Sequence, residues 1–244
     1  MKFALDSGTE IGQRAARILL GDPDCTSLVT LNRGWLPDDH RATRGSGNSS
    51  DVMGVDAVIS DGTSALSSLI GKASVAQAPL VVWQDAHASE LGPASIPVIV
   101  GANVGSALVD ALLTHAASSP TAEDSVTIGW TEPGKPQRNG APIAFPEPIG
   151  MAWSDERQDG RFVAYRDDEW AGVTTIVEGP SGQRIVGIAD LGTHLEALTL
   201  VAVSLAAARG SFETGIQRAG HASAVILEEA RGLELDVAVW RSTF

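Results

Sequence analysis

The stretch KFALDSGTEIGQRAARILLGDPDCTSLVTLNR, residues 2–33, decides how the rest of the chain is read. It opens with a short apolar strand (Lys2 to Leu5) and a glycine turn (Asp6 to Gly12). An amphipathic helix (Gln13 to Leu20) and a second strand (Leu28 to Asn32) follow, ending at Arg33. Strand, glycine turn, helix, strand is the opening βαβ unit of a dinucleotide-binding fold.

In the Gly-x-Gly-x-x-Gly fingerprint, the first glycine makes the tight turn. The second admits the pyrophosphate, and the third lets helix and strand pack closely. Laid on this chain those places fall on Asp6, Gly8 and Ile11, so the middle glycine alone is present; Gly12 comes one residue late, as a slightly longer turn allows. The predicted cofactor-binding segment is therefore Gly8, Thr9, Glu10, Ile11 and Gly12, at a helix start whose N–H groups and positive dipole end suit a phosphate. Asp6 and Glu10 set carboxylates in the same place, where like charge opposes a pyrophosphate. Alternatively they cap the helix, Asp6 from the loop and Glu10 in the first turn.

At the end of the second strand, Asn32 and Arg33 stand where an acid would hold a ribose 2′-hydroxyl. An arginine there suits a 2′-phosphate, so NADP is expected over NAD if a nicotinamide cofactor binds. The alternative is that Arg33 is a solvated strand-end residue and no cofactor binds.

The net charge of −13 leaves no basic stripe for nucleic acid or an anionic membrane. No apolar run reaches the ~20 residues that span a bilayer, and the N-terminal start is interrupted too soon by Asp6 for a signal peptide. A single cysteine, Cys25, excludes an internal disulfide and a thiolate metal cluster. The expectation is a cytoplasmic protein whose partners are a small-molecule substrate and a second copy of itself.

From Gly34 to Gly54 the chain is polar and reads as a long loop, in which Arg41 and Arg44 either fold over a phosphorylated ligand or simply face solvent. Val55 to Ser60 is the third predicted strand, Pro79 to Trp83 the fourth and Ile96 to Val100 the fifth. Ser60 and Asp61 end the third strand, on the side of a parallel sheet where ligands sit. They are candidate cofactor contacts, while Thr63 or Ser64 is a candidate cap for the following helix.

After the fifth strand, Gly101-Ala-Asn-Val-Gly-Ser-Ala-Leu108 opens another helix. That order, with its Gly-x-x-x-Gly turn, resembles the saccharopine-dehydrogenase-like and related Rossmann oxidoreductases. The stretch Pro142-Ile-Ala-Phe-Pro-Glu-Pro-Ile-Gly150 resembles a proline-rich segment of the same proteins. The resemblance implies an NAD(P)-dependent dehydrogenase or reductase acting on a small, carboxylated metabolite. It carries no catalytic residue over, because no catalytic motif anchors one.

Ser118 to Asp124 reads as a linker. It divides a Rossmann-like domain, 1–118, from an α+β domain, 119–244, that serves substrate binding or dimerisation. The second half shows short alternating runs separated by Pro, Gly and Asp, the pattern of a mostly antiparallel sheet. The whole is thus α/β, a parallel sheet followed by an antiparallel one. His194 to Arg209 is a helix apolar nearly all round, to be buried inside the chain or against a second subunit.

Two residues in this half are candidate catalysts. Lys135, one of three lysines, sits in the loop Thr131 to Gly140, where it would hold a substrate carboxylate or act as an acid. His194 follows Asp190, which would orient it, and Thr193, which would cap the helix. Both have a plain alternative, a solvated turn and a helix-start residue. No metal-ligand spacing is present. Two functions follow: an NADP-dependent oxidoreductase, or a non-catalytic Rossmann-like binding or dimerisation protein whose cofactor turn has degenerated.

Overall fold

The computed structural model describes residues 1–32, 35–86, 91, 93–116, 125–136, 139–158, 160–180 and 182–242. Arg33, His87 and the predicted linker at 118–124 lie outside the described residues.

The first half builds β1 (Lys2–Asp6), α1 (Glu10–Gly21), β2 (Ser27–Thr30), β3 (Ala42–Arg44), β4 (Ala57–Ser60), α2 (Leu66–Ala76), β5 (Leu80–Val82) and β6 (Pro97–Val100). After a π-helical turn at Val104–Leu108, α3 runs Val109–Ala116. The second half adds β7 (Ser125–Pro133), β8 (Ala141–Ala144), β9 (Met151–Gln158), β10 (Arg161–Arg166), β11 (Trp170–Gly179) and β12 (Gly182–Leu191). It ends with α4 (Gly192–Ala208), β13 (Gly215–Arg218), α5 (Ser223–Gly232) and β14 (Ala238–Ser242).

Seven strands form one parallel sheet in the order β13-β6-β5-β4-β1-β2-β3. Read from β3, the first six follow the 3-2-1-4-5-6 order of the dinucleotide-binding fold, with the direction of winding reversing between β1 and β4. The strands are apolar on both faces because both are covered. One face packs Ala4, Val58, Leu80 and Val98 against Leu69 and Ala73 of α2. The other packs Phe3, Leu5, Ile59, Val81 and Ile99 into a core shared with α1, α3, α4 and the second sheet.

The second sheet runs β14-β12-β11-β7-β10-β9-β8. Its neighbours are antiparallel except β10 and β7. Parallel then mostly antiparallel is the predicted architecture.

Two strands depart from the sequence reading. β3 lies inside what reads as a polar loop and pairs with β2 as an edge strand. β13 follows α4 in sequence yet returns to pair with β6. Helix α4 answers its own composition: Leu195, Leu198, Leu200, Val201, Val203 and Leu205 are all buried within the chain, between the sheets and against α1 and α5. Its apolar surface therefore supplies no face for a second subunit.

Candidate functional site

The turn after β1 is built tightly, and one carboxylate organises it. Asp61, buried at the end of β4, accepts hydrogen bonds on Oδ2 from the Gly8 N–H at 2.8 Å, the Thr9 N–H at 2.7 Å and the Thr9 hydroxyl at 2.8 Å. Its Oδ1 accepts from the Thr63 N–H at 3.1 Å and hydroxyl at 2.6 Å. Thr9 is the N-cap of α1, its hydroxyl accepting from the Gly12 N–H at 3.3 Å.

Asp6 does not cap the helix. It is buried and turned towards β4, where it accepts from the Ser64 hydroxyl at 2.7 Å, the Ser64 N–H at 3.0 Å and the Ser60 hydroxyl at 3.3 Å. Nor do Thr63 and Ser64 cap α2, whose N-cap is Ala65. They are held by the two aspartates instead. Glu10 lies in the first turn of α1, where a carboxylate complements the helix dipole.

These contacts test whether a dinucleotide fits. The fingerprint needs open space over its second glycine, so that the pyrophosphate can approach the backbone. Here a Cβ added to Gly8 would lie 2.4 Å from Thr63 Oγ1 and 2.5 Å from its Cγ2, and one added to Gly12 would lie 2.4 Å from Asp61 Oδ2. The glycines make room for Thr63 and Asp61. A carboxylate already holds the N–H groups of Gly8 and Thr9, and the residues present do not fit a pyrophosphate at this turn.

Of the arginines expected near a phosphate, Arg33 lies outside the described residues and Arg41 is engaged within the chain. Arg41 is fixed by Asp39, with Nη2 to Oδ2 at 2.8 Å and Nε to Oδ1 at 3.1 Å, and by the carbonyls of Cys25 and Leu20. That guanidinium holds the Asp39 carboxyl down to about 2. Arg44 is an exposed residue of β3, and Asn32 has a buried Nδ2 with no hydrogen-bond partner.

The space at the carboxyl ends of the parallel strands lies further out, between the sheets. A cavity of about 370 Å³ is lined by Ile11 of α1, Trp83 after β5, Thr131, Glu132 and Pro133 of β7, and Arg166. Asp168 to Ala171, Gly192, Thr193 and Glu196 complete it. This is the crevice where open α/β sheets take their ligands, and its size is that of a small-molecule site.

Glu196 is the one acid on α4. Its Oε2 accepts from the Trp83 indole N–H at 2.8 Å and the Val104 N–H at 3.1 Å, which ties the second half of the chain to β5 and the π-turn. Burial pushes its carboxyl above the ordinary range, and Asp85 adds to the rise, against the lowering by those two bonds. Arg166 is spent on Asp168, with Nε to Oδ1 at 2.8 Å and a second contact through Nη2.

Among the described residues predicted for the site, Ile11 alone lines this cavity. Gly8, Thr9, Gly12, Ser60 and Asp61 are knitted into the turn beneath it. Lys135 is exposed, two residues beyond Pro133. His194 pairs through Nδ1 with Asp190 Oδ2 at 2.9 Å, as the sequence predicts, but lines a separate surface groove with Ile18, Leu205 and Arg209. Thr193 is not the cap, because α4 begins at Gly192 with Leu191 as its N-cap. Trp83, Trp170 and Glu196 escaped the sequence reading. The lone acid in an apolar helix was the available signal for Glu196.

Among the described residues, no group of three or more His, Cys, Asp or Glu is placed to hold a metal, and no helix is long and apolar enough to cross a membrane.

The architecture defines a class. A seven-stranded Rossmann-like sheet followed by a curled, mostly antiparallel sheet is the fold of NAD(P)-dependent dehydrogenases with a C-terminal α+β domain, and solved structures match over nearly the full length. Homospermidine synthase from Legionella pneumophila, in complex with NAD, matches with a TM-score of 0.61 at 8% identity, over 100% of this chain and 91% of that one. C. glutamicum DAP dehydrogenase in complex with DAP matches with a TM-score of 0.54 at 13% identity, over 90% and 92%. Dipicolinate-bound dihydrodipicolinate reductase from Paenisporosarcina sp. TG-14 gives 0.51 at 9%, over 89% and 97%. The likeness is one of fold. No protein-family model and no curated protein matches the sequence.

Proposed function

We propose that this chain is a small-molecule-binding protein on a dehydrogenase fold, which takes its ligand in the cleft between the two sheets and binds no dinucleotide at the β1–α1 turn. The observation that carries this reading is the Asp61 carboxylate on the N–H groups of Gly8 and Thr9. It supplies internally the negative charge that a pyrophosphate supplies in a dinucleotide-binding protein. Two ligands cannot hold the same donors, and a buried carboxylate with five hydrogen bonds is costly to displace.

A second reading is favoured by the position of the cavity, at the carboxyl ends of the strands and beside the point where the winding reverses. In that reading the chain is an NADP-dependent dehydrogenase or reductase of a small, carboxylated metabolite, and the segment from Asp61 to Ser64 leaves the turn to admit the cofactor.

Titration of the protein with NADP and NAD in separate runs, by calorimetry with tryptophan quenching alongside, divides the two. The first reading expects no saturable binding of either at millimolar concentration. Micromolar binding of NADP overturns it and establishes the second.

A further inference from the structure

The charge of the cleft limits what can enter it. Its lining carries four carboxylates, Glu132, Asp168, Glu169 and Glu196, against one guanidinium, Arg166. Arg166 is neutralised by Asp168, and Glu132 meets Arg157 only at 4.0 Å while accepting from the Trp130 indole at 3.1 Å. An anion placed in the cavity would face Glu132 of β7, only weakly paired, and Glu196 of α4, in a partly desolvated space where like charges repel strongly.

Apolar side chains line the cavity together with those acids. Trp83 and Trp170 both line the cavity, with Ile11, Pro133 and Ala171. Indole faces attract a cation within ~6 Å and receive a flat ring equally well.

One atom is left to hold such a cation. Both hydrogen bonds to Glu196 fall on Oε2, and among the described residues Oε1 has no protein partner. The Trp83 bond fixes the carboxylate beside an indole, so charge and aromatic surface stand together.

We propose that the cleft binds a small primary amine with a flat apolar body, its ammonium on Glu196 and its body against Trp83 and Trp170. The inference rests on the ligand-binding reading above and adds to it the chemical class of the ligand. An ammonium beside Glu196 also relieves the cost of burying that carboxylate, since an opposite charge favours the ionised form.

Three probes of nearly one shape test it: phenethylamine, 2-phenylethanol and 3-phenylpropionate, each titrated calorimetrically into the wild-type protein at neutral pH. The expected result is saturable binding of phenethylamine about tenfold or more tighter than of the alcohol, with no binding of the carboxylate. Glu196→Gln keeps the side-chain shape and is expected to bring amine and alcohol to within about threefold of each other, while the exposed Glu228→Gln makes the same change in net charge and leaves the preference intact.

A carboxylate that binds as well as the amine, or no saturable binding of the amine, overturns the inference. Both results come from the wild-type protein, so the test stands even if Glu196→Gln does not fold. The NADP titration keeps the two failures apart. Micromolar NADP binding overturns the cofactor-free reading whatever the amines do, whereas loss of the amine preference without NADP binding overturns the inference alone.

Discussion

Asp61 and Thr9 meet twice: one carboxylate oxygen accepts both the Thr9 N–H, at 2.7 Å, and the Thr9 hydroxyl, at 2.8 Å. The end of β4 is thereby fastened to the start of α1 across the point where the sheet reverses its winding. Asp61→Asn keeps the shape but replaces one acceptor oxygen by a donor, leaving buried N–H groups without a partner. The expected loss is about 1–3 kcal/mol, read as a lower midpoint of denaturant unfolding. An unchanged midpoint would mean that the carboxylate does not hold the turn.

Gly8 is small because Thr63 stands over it. In Gly8→Ala the new methyl would meet the Thr63 side chain at 2.4 Å, so the variant is expected to lose about 1–3 kcal/mol of stability. Adding Thr63→Ala removes the two nearest atoms and recovers a large part of that loss. If the glycine were kept open for a pyrophosphate, the second substitution would recover nothing.

Glu196 makes stability depend on pH in a direction opposite to most carboxylates. Its carboxyl is raised by burial, with Asp85 adding and the Trp83 and Val104 bonds opposing. Between the ordinary carboxylate range and the raised value the native state therefore holds more protons than the unfolded state. Stability contributed at this site falls as pH rises through that window. Wild type is expected to lose ground to Glu196→Gln as the pH is taken from acidic towards neutral. A difference between the two that stays flat with pH would mean a carboxyl that titrates in the ordinary range.

Leu198 is 1% exposed in a helix covered by its own chain. Leu198→Ala leaves a cavity in the shared core and is expected to cost about 2–5 kcal/mol. Because the covering is internal, the loss on Leu198→Ala is expected to be the same at low and at high protein concentration. A loss that changes with concentration would instead place a subunit interface on α4.

Much of the fold was legible because its signals are local. The continuous apolar runs of β1, β4, β5 and β6, the glycine turn before α1 and the alternating runs of the second half each declare themselves within a few residues. β3 and β13 were hidden for the same reason. Ala42–Arg44 and Gly215–Arg218 are short, polar edge strands whose pairing is set by neighbours far away in sequence.

The turn shows the same limit more sharply. That Asp6 and Ile11 depart from the fingerprint is visible in the sequence. That Asp61, more than fifty residues on, fills the gap is a long-range contact that no spacing announces. Asp190 and His194, four residues apart, were readable as a pair. Trp83 and Glu196 come together only once the second sheet is folded over the first.

The return of β13 to the edge of β6 has a consequence for how the protein is made. Six strands of the parallel sheet are complete by Val100, yet the seventh, β13, follows only from Gly215, and α4, which covers part of one face, arrives just before it. At ~5–20 residues per second, the segment between Val100 and Gly215 takes on the order of ten seconds to synthesise. During that interval the nascent sheet has an unpaired edge and a bare apolar surface. The edge of β6 and that surface are covered only once α4 and β13 have been made, so the first sheet closes on a much later part of the chain.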